Sequence, residues 1–402
     1  MSRFLFTALC TLSLALSLSG ADWPRFRGPN GSGVAAGPLP TIDPQTPLWK
    51  VPVPGKGAGS PIVVAGKVYL QSATEDGARR LFICLDGATG KTEWIKELPG
   101  EKAPTHALNT LASSTPASDG ERLYCVWWDG TAMSVHGYDL SGKELWSDTL
   151  GPFKSQHGVG HSPIVHQGRV FVCYDQDGES SVVALDAKSG TRLWAAARKP
   201  ERACYNTPVI LEEPGKPAAL IITSTHSIDS YDPESGKVNW HYAIKWPAGA
   251  TVLRSVGGQV LTNGLVIAYF GEGGGKGTRY AVAVKTGGSG DVTATGKAWE
   301  LRKGTPYVPA ILAKNGLLFW AYDTGGKVLC ADAKTGKPVW DEKGLESSIS
   351  YPYVSFTGGL SEDAARQNLW SILAPMVVSR VVDGFGATDA AGPGGPPPTS
   401  TP

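Results

Sequence analysis

Short runs in which apolar residues alternate or cluster follow one another along the chain, each closed by a turn rich in Gly, Asp or Asn. One stretch shows the grammar. The run Ser162-Pro-Ile-Val165 meets the turn His166-Gln-Gly-Arg169. Val170-Phe-Val-Cys-Tyr174 then leads through Asp175-Gln-Asp-Gly178 to Ser181-Val-Val-Ala-Leu185, and a last run opens at Leu193-Trp194. Runs this short, joined by turns this tight, predict four antiparallel strands. Repetition of the pattern predicts an all-β chain.

One phrase marks each unit. It reads Asp86-Gly-Ala-Thr-Gly-Lys-Thr-Glu-Trp94, Asp139-Leu-Ser-Gly-Lys-Glu-Leu-Trp146, Asp186-Ala-Lys-Ser-Gly-Thr-Arg-Leu-Trp194, Asp232-Pro-Glu-Ser-Gly-Lys-Val-Asn-Trp240 and Asp332-Ala-Lys-Thr-Gly-Lys-Pro-Val-Trp340. A carboxylate that accepts from amides two or three residues on, followed by a Gly free to take positive φ, suits a bulged hairpin between third and fourth strands. The Trp then opens the fourth strand, where its ring covers the joint between units and its N–H reaches a partner. Trp49, Trp94, Trp146, Trp194, Trp240, Trp299 and Trp340 lie 45, 52, 48, 46, 59 and 41 residues apart. The long interval holds an enlarged turn after Tyr280-Ala-Val-Ala-Val284, running through Lys285-Thr-Gly-Gly-Ser-Gly290 before Trp299.

Units of this size bury their apolar faces only against neighbours. Trp49 has no unit before it, and a closed ring solves that orphan: an amino-terminal strand completes the blade begun by the carboxyl-terminal residues and removes the open sheet edge. The expectation is a β-propeller of four-stranded antiparallel blades, seven in number with eight as the alternative.

Met1-Ser-Arg3, an apolar run from Phe4 to Leu18 and the small residues Ser19-Gly-Ala21 have the parts of a secretory leader, so residues 1–21 are read as a signal peptide. The run is short for a membrane span. The propeller is then assigned to 22–358. Residues 359–402, ending Gly392-Pro-Gly-Gly-Pro-Pro-Pro-Thr-Ser-Thr-Pro402, have a disordered or non-native composition. A change of reading frame between Tyr353 and Gly359 would produce that abrupt loss of pattern and leave the last blade defective.

Lys plus Arg number 37 and Asp plus Glu 36, which leaves no net field to draw nucleic acid or an anionic membrane. Past the leader, Cys84, Cys125, Cys173, Cys204 and Cys330 form an odd set without CxxC spacing; they read as buried thiols. No Gly-x-Ser-x-Gly or phosphate-loop signature occurs.

The Asp phrase resembles the repeat of quinoprotein-type propellers, the pyrroloquinoline quinone (PQQ)-like family. Asp22-Trp-Pro-Arg-Phe-Arg-Gly-Pro-Asn-Gly-Ser-Gly33 resembles the opening of its secreted bacterial members. That family includes quinone-dependent alcohol dehydrogenases and a non-enzymatic outer-membrane assembly factor. The dehydrogenases imply a pair of adjacent cysteines, a Trp beneath the quinone and a calcium held by Glu, Asn and Asp. This chain has no Cys-Cys pair. The expectation is a secreted or periplasmic, monomeric, non-catalytic scaffold without a cofactor, binding a protein or cell-envelope partner. Two alternatives stand beside it: a dehydrogenase using PQQ and calcium, and a small-molecule or sugar-binding propeller using His157, Arg202 and Tyr205.

In a propeller, segments passing from one fourth strand to the next first strand gather on one face beside the channel. That geometry nominates His106, Asn109, Ser113, His157, His161, Arg202, Tyr205, Asn206, Arg254 and Tyr307 as a channel-mouth ligand site. His157-Gly-Val-Gly-His161 is a poor metal pair, because two Gly argue against the helix that would face the rings together. Asp175-Gln-Asp-Gly178 starts like a calcium loop but lacks the later acidic ligand, so a hairpin turn is expected.

Overall fold

The computed structural model describes residues 22–35, 47–107, 109–272, 277–322 and 328–339. The leader, the tail 359–402, Trp340 and the carboxyl-terminal residues expected to begin a seventh blade lie outside them. Among the described residues there are six antiparallel sheets and a single short helical turn, Pro29–Gly31.

Blade 1 is formed by Ile62–Val64, Lys67–Ala73, Arg79–Asp86 and Thr92–Pro99, paired in chain order. Blade 2 begins with Ala117–Ser118 and ends with Glu144–Pro152; blade 3 begins with Ile164–His166 and ends with Arg192–Arg198. Blade 4 begins with Val209–Leu211 and has Val238–Ala243 as its fourth strand, and blade 5 runs from Gln259–Thr262 to Lys297–Leu301. Blade 6 shows Leu312–Lys314, Leu317–Ala321 and Val328–Asp332. First-to-second hairpins turn on Ala65-Gly66, Gln167-Gly168, Asn263-Gly264 and Asn315-Gly316, each with both residues at positive φ, the geometry whose twist matches the strands it joins.

The Asp phrase is the third-to-fourth hairpin. Asp86 Oδ1 accepts from the Thr89 amide at 2.9 Å and its hydroxyl at 2.7 Å, and Asp186, Asp232 and Asp332 repeat the amide contact at 2.8 to 2.9 Å. A bulge falls beside each turn, at Cys84/Leu85, Gly137/Tyr138, Ala184/Leu185, Ser230/Tyr231 and Ala283/Val284. The bulge re-aims the outer strand.

Repeat Trp residues reach forward into the next blade. Trp146 lies over Gly190 and donates its indole N–H to Ala187 O at 3.1 Å; Trp194 does the same over Gly236 to Pro233 O, and Trp299 over Gly336 to Ala333 O. Trp49 lies over Gly90 and donates to Gly87 O at 2.9 Å, the relation a fourth-strand Trp of a preceding blade would have. Residues 47–54 form no strand, however.

Period-two alternation divides each blade between two cores. In blade 3, Val170 and Val172 pack toward blade 2, whereas Phe171 and Cys173 pack toward blade 4. In blade 5, Val266, Ala268 and Phe270 face blade 4 while Ile267 and Tyr269 face blade 6. The core is thus a series of layers, one per joint. All five cysteines are buried in the blades or their joints as free thiols, and burial pushes Cys84 up to about 11 and Cys204 up to about 12.

Two features depart from simple repetition. The enlarged blade 5 turn adds Gly290–Asp291 as a parallel fifth strand on blade 4, pairing Trp240 with Gly290 and covering that outer edge. The opening segment also does not lie in an outer blade. Trp23 pairs with Val63 of blade 1, Pro24 O accepts from Ser118 of blade 2, Asn30 bonds both ways with Ile210 of blade 4, and Arg27 donates to Ile311 O at the start of blade 6. A segment of about a dozen residues can touch four blades only where their first strands converge. It occupies the hub.

Gly168 and Gly190 separate two roles of Gly. Both have positive φ, but a Cβ on Gly168 meets nothing within 4 Å whereas one on Gly190 falls 2.5 Å from the Trp146 ring. Gly168→Ala is expected to cost about 1 kcal/mol from backbone strain, and Gly190→Ala about 3 kcal/mol or more because the indole is displaced as well. Urea midpoints of the two variants check this; equal losses would mean that the indole contact contributes little.

Candidate functional site at the channel mouth

The inter-blade segments 100–116, 153–163, 199–208, 244–258 and 302–311 carry every nominated residue. Their backbones are pinned first. Asn109 Nδ2 donates to His157 O at 2.6 Å and the His106 amide to the same carbonyl at 3.3 Å, tying the segment before blade 2 to that before blade 3. The His106 and His157 rings meet edge-on at 5.0 Å. Ser113 closes on Asn109 Oδ1. Burial, then the charges of Arg254, His106 and Arg202, hold His157 below the usual imidazole range. It is therefore a neutral ring at pH 7.

Tyr205 organises the centre. Its hydroxyl meets Ser155 Oγ at 2.5 Å and accepts from Arg254 Nη1 at 3.3 Å, while Arg254 Nη2 reaches Gln156 Oε1 at 3.4 Å. Arg202 donates to Val252 O at 2.8 Å. Tyr307 lies under the guanidinium of Arg279 at 5.3 Å and backs onto Gly271, where a Cβ would fall 2.7 Å from its ring. These groups make a mouth of two tyrosines, two imidazoles and two arginines. Every hydrogen-bond partner of Arg202 and Arg254 among the described residues is neutral. Asp177, which lowers the positive field beside His157, has one oxygen engaged by the Ala203 amide at 2.7 Å.

Asn206 and His161 sit deeper. Asn206 is fully buried, donating to Thr223 O at 2.7 Å and accepting from Ser255 at 3.2 Å; it ties blade 4 to the segment entering blade 5 and offers nothing to a ligand. His161 is fully buried between Phe153 and Tyr205, with ring distances of 5.4 and 5.7 Å, and among the described residues neither ring nitrogen has a partner at hydrogen-bond geometry, although the Cys204 and Asp175 backbones lie near. Burial lowers its pKa to about 4, outweighing the opposite pull of the Asp175 charge and of the Cys204 and Asp175 backbones.

His157 and His161 do not pair, since one ring rests on His106 and the other behind Tyr205. Asp175 is a buried anchor: it grips Arg198 through two contacts of 2.8 and 3.1 Å, and Arg198 also meets Asp229 at 3.1 Å and Tyr231 at 2.7 Å. Among the described residues no three His, Cys, Asp or Glu side chains are grouped to hold a metal ion. A calcium ion needs several oxygen donors around it, and among the described residues the mouth gathers no such set of carboxylates.

Sequence reasoning named the mouth residues but missed Ser155, Gln156 and Asp177, which complete the polar network. They were hidden because turn residues look alike whether they bond backbone or ligand. The hub segment was missed too. Its signal was a run of left-handed residues, Arg27, Gly28, Asn30, Gly31 and Gly33, which no strand accommodates.

The family model described as outer membrane protein assembly factor BamB matches residues 41–125 and 83–342. The chain belongs to that family of PQQ-type propellers. Among solved structures, quinohemoprotein alcohol dehydrogenase ADHIIG from Pseudomonas putida HK5 is similar over 79% of this chain and 72% of that one, at 14% identity and a TM-score of 0.52. Quinohemoprotein alcohol dehydrogenase from Comamonas testosteroni matches the same shares at 13% identity and 0.51. BamB from Moraxella catarrhalis is 17% identical over 73% of this chain and 75% of that one, at 0.47. At these identities the first two establish a shared fold. No curated protein sequence matches the chain.

The buried imidazole gives a pH signature. Because the unfolded chain binds a proton near pH 6.5 and folded His161 only near 4, stability attributable to this group is intact above about 6.5 and falls as pH drops toward 4, by about 3 kcal/mol in all. His161→Phe, which fills the same slot without a titrating group, is expected to flatten that part of the curve. Thermal melts from pH 4 to 7 check it; parallel curves for the two proteins would refute the assignment.

Proposed function

We propose that this chain is a non-catalytic binding propeller of the periplasm or extracellular space, and that its channel mouth holds an acidic segment of a protein partner. The observation that carries the reading is the pair Arg202 and Arg254. Arg202 opens on the mouth and Arg254 lies beneath it, both with only neutral hydrogen-bond partners among the described residues, beside aromatic rings able to cover the stem of a bound carboxylate side chain. Arginine beside tyrosine is the combination that dominates binding energy at protein interfaces. Family membership supports the same direction, because the matching model is that of an assembly factor. The leader-like residues 1–21 support export. Among the described residues no helix is long and apolar enough to cross a membrane.

Arg254 is 3% exposed and acts from below, whereas Arg202, Tyr205 and His157 are partly open to solvent. Contact would therefore begin at Arg202 and end against the Tyr205–Arg254 pair. A rim charge chiefly alters association rate and salt dependence.

A fluorescent hexaglutamate peptide is expected to bind saturably, to weaken as salt is raised, and to bind Arg202→Glu about tenfold or more weakly, read by anisotropy. A hexalysine peptide is expected not to bind. Equal binding of hexaglutamate to wild type and a folded Arg202→Glu variant would overturn the reading, as would dye reduction with alcohols or sugars that requires added PQQ and calcium.

A further inference from the structure

The hub segment places two guanidinium groups side by side, Arg25 buried and Arg27 half-buried. Arg25 is 6% exposed and donates from Nη2 to Pro208 O at 2.8 Å; Arg27 donates to Ile311 O at 2.5 Å. Pro208 and Ile311 immediately precede the first strands of blades 4 and 6, so both cations sit where those strands begin. Among the described residues neither forms an ion pair, and the buried Nε of Arg25 has no hydrogen-bond partner. Backbone carbonyls satisfy some N–H groups, but they leave both charges uncompensated. Buried charges without counter-charge are among the costliest features a fold can carry.

A cavity of about 20 Å³ opens between them, walled by Arg25, Phe26, Arg27, Thr207, Gly257 and Gln259. It has room for one water-sized occupant. The proximity of the two cations is felt: burial, and then the charge of Arg27, lowers Arg25 to about 9. Gln259 adds a second atom without a partner among the described residues, its Oε1, while its amide nitrogen donates to Thr207 O and Ile221 O. A water would answer Arg25 Nε and Gln259 Oε1 together but leave the charge untouched. Two guanidinium groups against one carboxamide oxygen weight the cavity toward an anion.

We infer that the hub of this propeller binds a single small inorganic anion of the halide class between Arg25 and Arg27, clamping the opening segment to the first strands. The site is independent of the channel mouth in residues and in ligand. Gluconate, a much larger and weakly coordinating anion, provides the control.

The test uses the mature protein at constant ionic strength with chloride or bromide exchanged for gluconate. Melting temperature is expected to rise by a few degrees with halide, saturably. Arg27→Gln is expected to abolish the halide-dependent rise even if its melting temperature in gluconate differs from wild type. Should that variant fail to fold, Arg25→Gln serves in its place. Bromide anomalous scattering from a crystal is expected to place a peak between the two guanidinium groups. Arg202→Glu, which alters only the mouth, is expected to keep the full shift. Identical melting in chloride and gluconate, a cavity holding only water, or loss of the shift in Arg202→Glu would each overturn the hub assignment; the last would move the anion to the mouth.

Discussion

Everything in this molecule depends on the joint between successive blades, where an indole from one fourth strand covers the Gly of the next Asp turn and donates to the carbonyl beside it. The hydrogen bond alone contributes about 1 kcal/mol. The ring does more, because it can approach so closely only where the facing residue lacks a Cβ and where the turn holds that residue at positive φ. Trp146 with Gly190, Trp194 with Gly236, and Trp299 with Gly336 are three copies of one solution. Asp, Gly and Trp recur together because each is useless to the joint without the other two.

Because the joints carry the stability, the segments between blades are free to differ. They fix their own backbones with short polar contacts, such as Asn109 to His157 O and Asn206 to Thr223 O, and gather unlike side chains at one mouth. The arginines there and in the hub follow one rule with two consequences. At the mouth, partly exposed Arg202 above buried Arg254, both with neutral partners among the described residues, forms a surface that attracts acidic groups. In the hub, two neighbouring guanidinium groups meet only backbone carbonyls among the described residues, and a resident counter-ion becomes the economical answer. The Arg198 network between blades 3 and 4 shows the contrasting case, in which Asp175 and Asp229 neutralise a buried guanidinium within the chain itself.

The opening segment links these themes. By touching the first strands of blades 1, 2, 4 and 6 it supplies contacts of very long sequence separation to a body otherwise built from neighbours. A repeat array gains little from such contacts in its cores, but a ring gains closure at its axis. The parallel strand Gly290–Asp291 does similar work at the rim, turning an enlarged hairpin into cover for an outer edge.

Period-two alternation, turn chemistry and the Asp–Gly–Trp phrase were enough to read strands, hairpins, bulges and inter-blade Trp contacts from residues alone, since all of these are settled within about fifty neighbouring positions. The inter-blade segments that hold the mouth residues could be named for the same reason. Which of those residues meet was not legible: His157 and His161 are close in sequence yet face apart, while Tyr205 and Arg254, 49 residues apart, share a hydrogen bond. The path of residues 22–34 through the hub was equally hidden, because its partners lie up to 284 positions away and exist only once the first strands have converged. Local pattern determines the blade; the closing of blades about an axis decides which polar groups become a site.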